Sequence, residues 1–181
     1  FRRVLFRSAL DNNIIPILKN YVTHKKIKIR INTFRNYSSL SMTEYGKELC
    51  TNEGELIRIC LEQVFEQLNL NQENLNDYER KYTKSDSMNL MIQMTRFLNS
   101  VSILKQGKEE IFKFKGLEQG LLLLNYVFNG TDSAYDKDDK EQLIINTLQY
   151  IGNTSEDPSS RKYMIDHLDE LEIFLKSENE F

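Results

Sequence analysis

The sequence predicts an all-α fold made of repeated helical units, and three observations lead to this prediction. The 181 residues include only 7 Gly and 2 Pro, too few turn formers for a sandwich or barrel of many short strands. Apolar residues recur at helical spacing along most of the chain. One order of segments, in which a polar–apolar stretch is followed by a basic–acidic run and then by a second apolar stretch, occurs three times.

The clearest internal match joins the segments that begin at Ile31 and Ile145, which lie 114 residues apart. Both read Ile-Asn-Thr followed by an apolar residue, and a weaker copy begins at Met94. Polar insertions at 71–86 and 129–138 lengthen the intervals between the copies. Without them each unit has about the 40–47 residues that are typical of two- or three-helix repeats.

We expect the chain to be a fragment cut at both ends. Residues 1–8 resemble a translated sequencing adaptor and are excluded from the fold, and the last residues stop abruptly after an amphipathic run. The predicted organisation of residues 9–181 is a partial unit at 9–24, a unit at 25–70 with the insertion 71–86, a unit at 87–128 with the insertion 129–138, and a partial unit at 139–181.

The first predicted helices contain two local difficulties. Pro16 is compatible with the first predicted helix only if it lies in the first turn or if the helix is kinked there. Residues 26–32 alternate between polar and apolar, which is a strand pattern, but Ile27, Ile31 and Phe34 also have helical spacing. We predict a helix there, because the matching copies are helical without ambiguity, and leave a strand as the alternative. Periodicity predicts helices over 10–22, 25–40, 43–53 and 55–69.

Later helices are predicted from the same periodicity together with capping signals. Ser87 is interpreted as a cap, and Asp157-Pro158 is a typical helix start. Residues 77–84 are a candidate for an extra helical turn. The second insertion is acidic but lacks the central glycine of a calcium loop, so we interpret Asp138 or Asp139 as a helix cap. The predicted helices are 87–104, 107–115, 117–128, 139–153, 159–166 and 168–177.

Residue types that usually carry catalysis or bind metals are sparse. The two histidines, His24 and His167, have no neighbours at zinc-ligand spacing, so we interpret both as surface or corner residues. Cys50 and Cys60 lie among apolar residues and are expected to fill the core of a protein from a reducing compartment. We therefore predict no catalytic residue, no metal and no cofactor.

Charge and hydropathy limit the classes of partner. No apolar run approaches the length that spans a bilayer, and a net charge of −3 gives no general case for nucleic-acid binding. The exception is a local basic run, which is either a patch for an anionic partner or one solvated face of a helix. Its members are Lys25, Lys26, Lys28, Arg30 and Arg35.

The repeated segments resemble the armadillo repeat family. The segment from Thr33 resembles the third helix of that repeat, with Asn36 at the family's Asn position, and Gly46 and Gly107 open segments that resemble its first helix. In the last copy the corner between first and second helices reads His167-Leu168, which departs from the family's glycine. The resemblance implies a right-handed α-solenoid of about three to four three-helix units.

The resemblance also implies a groove lined by the third helices, in which asparagines hold an extended peptide. The chain contains no Trp, so the indole walls that relatives use to bind basic import signals are absent. The groove residues implied by the match are Asn32, Asn36, Thr95, Asn99, Asn146 and Tyr150.

The function that follows is a non-catalytic protein-interaction module. We expect a segment of a larger intracellular scaffold, adaptor or co-chaperone in the cytoplasm, which binds a peptide or a helix and not a small molecule. The alternative is a structural spacer or regulatory arm of a multidomain protein. A nucleic-acid contact through residues 24–35 is less favoured, since aromatic residues are not interleaved with its charges.

Overall fold

A computed structural model describes residues 8, 11, 13–53, 55–72, 83–129, 136–169 and 172 of the chain. The regular elements in these ranges are helices, and no strand occurs in them, which confirms the predicted all-α class. The helices are α1 (Ile14–Lys19), α2 (Ile27–Leu40), α3 (Glu44–Asn52), α4 (Glu55–Gln72), α5 (Lys84–Val101), α6 (Lys105–Lys113), α7 (Gly116–Asn129), α8 (Lys137–Thr154) and α9 (Pro158–Asp166).

Helices α2, α5 and α8 form a row, in which α5 lies between the other two. We call these three the long helices, although α4 and α7 are of comparable length. Helices α4 and α7 pack against each other. In addition, α4 packs against α5, and α7 packs against α8. The short helices α3 and α6 join the two groups, since each contacts the long helix that precedes it and the helix that follows it. Helices of one kind are therefore neighbours in space although they are far apart in sequence.

Residues 27–40 are helical, so the strand alternative for residues 26–32 is wrong. Ile27, Ile31 and Phe34 are buried, which shows that the 3.6-residue spacing and not the twofold alternation orients this segment. The buried side chains of α2 pack against α5, where Phe34 and Tyr37 both contact Phe97 with ring centroids 6.3 and 5.8 Å apart. The hydroxyl of Tyr37 donates a 2.8 Å hydrogen bond to the carbonyl of Ile15, which ties α1 to the row.

Each long helix is followed by a three-residue corner and a nine-residue helix, and this geometry occurs three times. The corners are 41–43, 102–104 and 155–157. Each begins with a serine whose hydroxyl donates to a carbonyl in the last turn of the preceding helix. In each corner the third amide donates to the carbonyl of the last helical residue, at 3.1–3.2 Å. Positions in the three copies can therefore be matched by counting from Ser41, Ser102 and Ser155.

The corner forces the following helix close to the end of the long helix. A Cβ atom at Gly46 would lie 2.0 Å from the carbonyl oxygen of Leu40, and one at Gly107 would lie 2.0 Å from that of Val101. A side chain at either glycine would therefore require this backbone to shift. The matching residue of the third corner is Ser160, which is buried and follows an N-cap, Asp157, that accepts hydrogen bonds from two backbone amides.

Capping agrees with one sequence prediction and corrects two others. Asp157-Pro158 starts α9 as predicted, with Pro158 in the first turn. The N-cap of α5 is Thr83, which accepts from the amide of Asp86, and Ser87 is not a cap because its buried hydroxyl donates to Gln67 on α4. The N-cap of α8 is Asp136, so Asp138 and Asp139 lie in the first turn instead, where carboxylates interact favourably with the helix dipole.

The chain ends and insertions are described only in part. Helix α1 ends at Lys19, and turns replace the predicted helix over residues 20–22, while Pro16 lies in its first turn. Most of the extra turn predicted at 77–84 lies outside the described residues. In the predicted helix 168–177, residues 168, 169 and 172 are helical and the others lie outside the described residues.

Candidate functional site

A groove with a volume of about 480 Å³ runs between the C-terminal halves of α2 and α5. It is open to solvent, and we call it the α2–α5 groove. Most of its lining residues occupy matching positions in the two units, because the corners set the same register for both helices. The lining consists of Arg35, Ser38, Ser39, Met42, Lys47, Arg96, Asn99, Ser100, Ile103 and Asn146.

Two arginines at matching positions dominate the electrostatics of this groove. Arg35 and Arg96 each lie six residues before their corner serine, and both are exposed. Each guanidinium has one side-chain hydrogen bond, to the amide oxygen of Asn32 or of Gln142, and both are long at 3.5 Å. Neither arginine forms an ion pair with a described residue, so two full positive charges face the groove with weak neutral partners only.

Lys47 adds a third cation at the end of the groove. Its side chain is only 13% exposed, and its Nζ lies 3.6 Å from Glu44 of the same helix. No acidic residue is among those that line the groove. The positive charge of this surface contrasts with the net charge of −3 of the whole chain.

Apolar side chains and hydroxyls complete the lining. Met42 and Ile103 occupy matching corner positions and are 81% and 54% exposed, which is unusual for large apolar residues. Ser100 donates a 2.6 Å hydrogen bond to the carbonyl of Ser41 and so fixes α5 to the first corner. The site thus offers cations, hydroxyls and two apolar contacts along one surface.

The next pair of long helices has the same positions but different chemistry. We call this region the α5–α8 seam. Asn99 donates to Gln149 at 2.6 Å, and Asn153 donates to Asn99 and to the hydroxyl of Ser102. These bonds bridge the two helices. Asn99 also lines the α2–α5 groove, where Ser38 and Ser100 donate to main-chain carbonyls across the helix pair.

The charges of the seam are also paired. Lys108, which matches Lys47, donates to the carboxylate of Glu156, which matches Ile103. This hydrogen bond and the charge of Lys108 lower the pKa of Glu156 from its usual value. The seam therefore contains the carboxylate that the α2–α5 groove lacks.

The structure separates the six predicted groove residues. Asn99 and Asn146 line the α2–α5 groove, and Asn32 and Asn36 are exposed on α2 outside the lining. Thr95 and Tyr150 were expected in the groove, but both are fully buried. The hydroxyl of Thr95 donates to carbonyls of its own helix, and that of Tyr150 donates to the carbonyl of Gly116 on α7, so neither offers an atom to a partner.

Asn146 has a structural contact as well. It is 4% exposed, and its amide nitrogen donates to the carbonyl of Ile92 on α5. Its oxygen accepts from Gln142. This asparagine joins α5 to α8, so its substitution would disturb the helix row as well as the groove.

The predicted basic patch does not form one surface. Lys25, Lys26 and Lys28 are exposed, whereas Arg30 is buried and donates to Gln63, with Glu66 at 3.7 Å. Arg35 lies in the α2–α5 groove. Arg30 is thus part of the α2–α4 contact and not of a patch for an anionic partner.

Sequence reasoning did not identify Arg96, Lys47, Ser100, Met42 or Ile103. The glycines indicate the register that relates these residues. Gly46 and Gly107 are 61 residues apart, and so are Arg35 and Arg96. The weaker copy at Met94 instead begins 63 residues after Ile31, so it pairs Thr95 with Asn32. The corner geometry shows that Gln93 matches Asn32 and that Phe97 matches Asn36.

The two cysteines are buried, and the two histidines are engaged in local contacts. Burial raises the pKa of the Cys50 thiol to about 12 and the pKa of the Cys60 thiol well above its usual value. The ring of His24 accepts a hydrogen bond from the amide of Lys26, and His167 stacks on Tyr163 at 4.1 Å between ring centroids. Within the described ranges, no group of three His, Cys, Asp or Glu residues is arranged to hold a metal ion.

Comparison of the chain with protein-family models, with curated proteins and with solved structures gave no match. None of the helices in the described part of the chain is both long and apolar enough to cross a membrane.

Proposed function

We propose that the chain is a non-catalytic protein-interaction module that binds an extended segment of a partner along the α2–α5 groove. We also propose that its helices form an armadillo-type solenoid within a larger intracellular scaffold, adaptor or co-chaperone. The observation that carries the proposal is the groove itself, an open surface between two long helices at which polar and apolar side chains recur in matching register and no carboxylate is part of the lining.

The repeated corner supports the solenoid part of the proposal. Three corners share the same serine and the same backbone hydrogen bonds, and two share a glycine at which a Cβ atom would lie 2.0 Å from the carbonyl oxygen that ends the preceding helix. Stacked repeats of this kind place equivalent side chains at regular intervals on one surface. Such a surface suits an extended chain, since backbone and side-chain contacts can then recur along it.

A steric test addresses the peptide-binding function. Peptides selected from a random display library on the full chain are measured for binding to the Ser39→Trp variant, in which the indole fills the groove. Ser39 is half-buried in the lining, and its hydroxyl donates only to the carbonyl of Arg35 in its own helix. The matched control is Ser85→Trp, because Ser85 is exposed in the first turn of α5 outside the groove.

We expect Ser39→Trp to abolish binding and Ser85→Trp to preserve it, with unchanged helical circular dichroism in both variants. Equal binding by the two variants would show that the selected peptides do not occupy the groove. Failure to select any peptide would contradict the proposed function and would favour the spacer alternative.

A further inference from the structure

We infer that the partner segment bound in the α2–α5 groove is acidic, and that its carboxylates are held by Arg35, Arg96 and Lys47. This inference rests on the proposed function and adds the chemical class of the partner. It is carried by the contrast between the groove and the α5–α8 seam.

The lining of the groove is positively charged. Three cations and no carboxylate line the groove, in a chain with 27 acidic and 24 basic residues. Hydrogen bonds between a guanidinium and a carboxylate are shorter and roughly twice as strong as those between neutral groups. The 3.5 Å contacts of Arg35 and Arg96 with amide oxygens are therefore readily replaced by carboxylates of a ligand.

At the matching positions of the seam, the lysine has a carboxylate partner from the next unit. In the seam, Lys108 is neutralised by Glu156 from the next corner. In the groove, Ile103 stands at the position of that glutamate, and among the described residues the ion-pair partner of Lys47 is Glu44 of its own helix. A carboxylate from a partner would complete for Lys47 the pair that the protein itself provides for Lys108.

The spacing of the cations defines the acidic segment further. Arg35 and Arg96 lie on neighbouring helices, whose axes are about 8–10 Å apart in packed helices. An extended chain rises about 3.3 Å per residue and alternate side chains share a face, so two carboxylates two or four residues apart, at about 7 or 13 Å, bracket the separation of the two arginines. Met42 and Ile103 provide contacts for an apolar residue of the same segment.

A protein segment fits the groove better than a nucleic acid does. Proteins that bind single strands stack bases on aromatic side chains, and no aromatic residue lines this groove. Exposed Met and Ile side chains match the apolar residues of a peptide, and they have no equivalent use against a phosphate backbone.

The test measures fluorescence anisotropy of labelled probes with the full chain. The probes are a short peptide with two glutamates four residues apart and a leucine midway between them, so that all three share a face, the same peptide with glutamines, and a single-stranded oligonucleotide. The proteins are wild type, the double variant Arg35→Gln/Arg96→Gln, and the variant Ile103→Glu. Lys28→Gln is the matched control, because Lys28 is an exposed cation of α2 outside the groove.

We expect the glutamate peptide to bind at least about tenfold more tightly than the glutamine peptide, and the double arginine variant to lose that preference. Ile103→Glu should also weaken binding about tenfold, because the new carboxylate takes the place of the ligand's at Lys47. Lys28→Gln should bind as wild type does. Circular dichroism of each variant checks that the fold is retained.

Several results would overturn the inference. Equal affinity for the two peptides, equal losses in Lys28→Gln and the arginine variant, or tighter binding of the oligonucleotide each contradict an acidic protein ligand. If library peptides without acidic residues bind and are blocked by Ser39→Trp, the proposed function stands and the inference fails. If no peptide of any composition binds, the proposed function itself fails.

Discussion

The α2–α5 groove and the α5–α8 seam are built on the same backbone plan, but their charged side chains are paired differently. Both have a corner serine, a cation in the following short helix and polar residues in the last turns of two long helices. In the seam those polar residues bond to one another, and Lys108 pairs with Glu156. The repeat geometry therefore creates equivalent places, and the side chains decide which of them remains free for a partner.

The largest expected loss of stability comes from a substitution in α5, the helix that the groove and the seam share. Phe97 of α5 is fully buried against Phe34 and Tyr37, so Phe97→Ala should lower the free energy of unfolding by about 3–5 kcal/mol. Chemical denaturation with circular dichroism detection measures this. Phe65→Ala is the control. Because Phe65 is 45% exposed, this substitution should lower the free energy of unfolding far less. Equal losses in the two variants would contradict the packing of α2 on α5.

The corner that sets the register provides the next test. Gly107→Ala would place a Cβ against the carbonyl of Val101, and we expect a loss of about 1–3 kcal/mol in the free energy of unfolding. Gly152→Ala should have the opposite sign and gain about 0.5–1 kcal/mol, because Gly152 lies in α8 with open space around it. A stabilising Gly107→Ala would show that the corner is not as tight as the structure has it.

The hydrogen bonds of the seam should contribute less than the corner does. Asn153→Ala removes donation to both Asn99 and Ser102, and we expect a loss of about 1 kcal/mol in the free energy of unfolding. Ser39→Ala in the groove removes only a bond within its own helix and should leave stability nearly unchanged. Similar losses in the two variants would remove the distinction between the closed seam and the open groove.

The smallest expected effect depends on pH. Lys108 lowers the pKa of Glu156 in the folded state, so this carboxylate stabilises the fold above its unfolded pKa of about 4.3. The contribution is lost as the pH falls through the lower folded pKa. Wild type should therefore lose slightly more stability between about pH 5 and 3 than Glu156→Gln does. The exposed Glu141→Gln serves as control and should follow wild type; parallel acid curves for Glu156→Gln and wild type would contradict the pairing.

Local patterns were sufficient to predict most of the helices. The apolar spacing of Ile27, Ile31 and Phe34 correctly predicted a helix over a segment that also alternates like a strand. The match of Ile31 with Ile145 agrees with the register given by the corners, since Ser41 and Ser155 are also 114 residues apart. Periodicity succeeds here because each long helix buries one face against its neighbour.

The predictions that failed depend on contacts between distant segments. Ser87 has the sequence of a cap but bonds to Gln67 on another helix, and Arg30 is drawn from the basic run into contact with Gln63 and Glu66. Tyr150 is buried, and its hydroxyl donates a hydrogen bond to a carbonyl on α7. The different charge pairing of the α2–α5 groove also depends on distant segments, because Ile103 stands where the next unit has Glu156, and pattern alone does not relate these two residues.

The burial of both thiols has a practical consequence for studying the groove. Cys50 and Cys60 have no exposed surface, and burial disfavours their thiolate forms, so maleimides should react very slowly with the native protein. A single cysteine introduced at the exposed end of the groove, for example at Met42, would then take a fluorescent dye selectively without removal of the natural cysteines. The emission of that dye would report occupancy of the groove in solution, in a protein whose interior is unaltered.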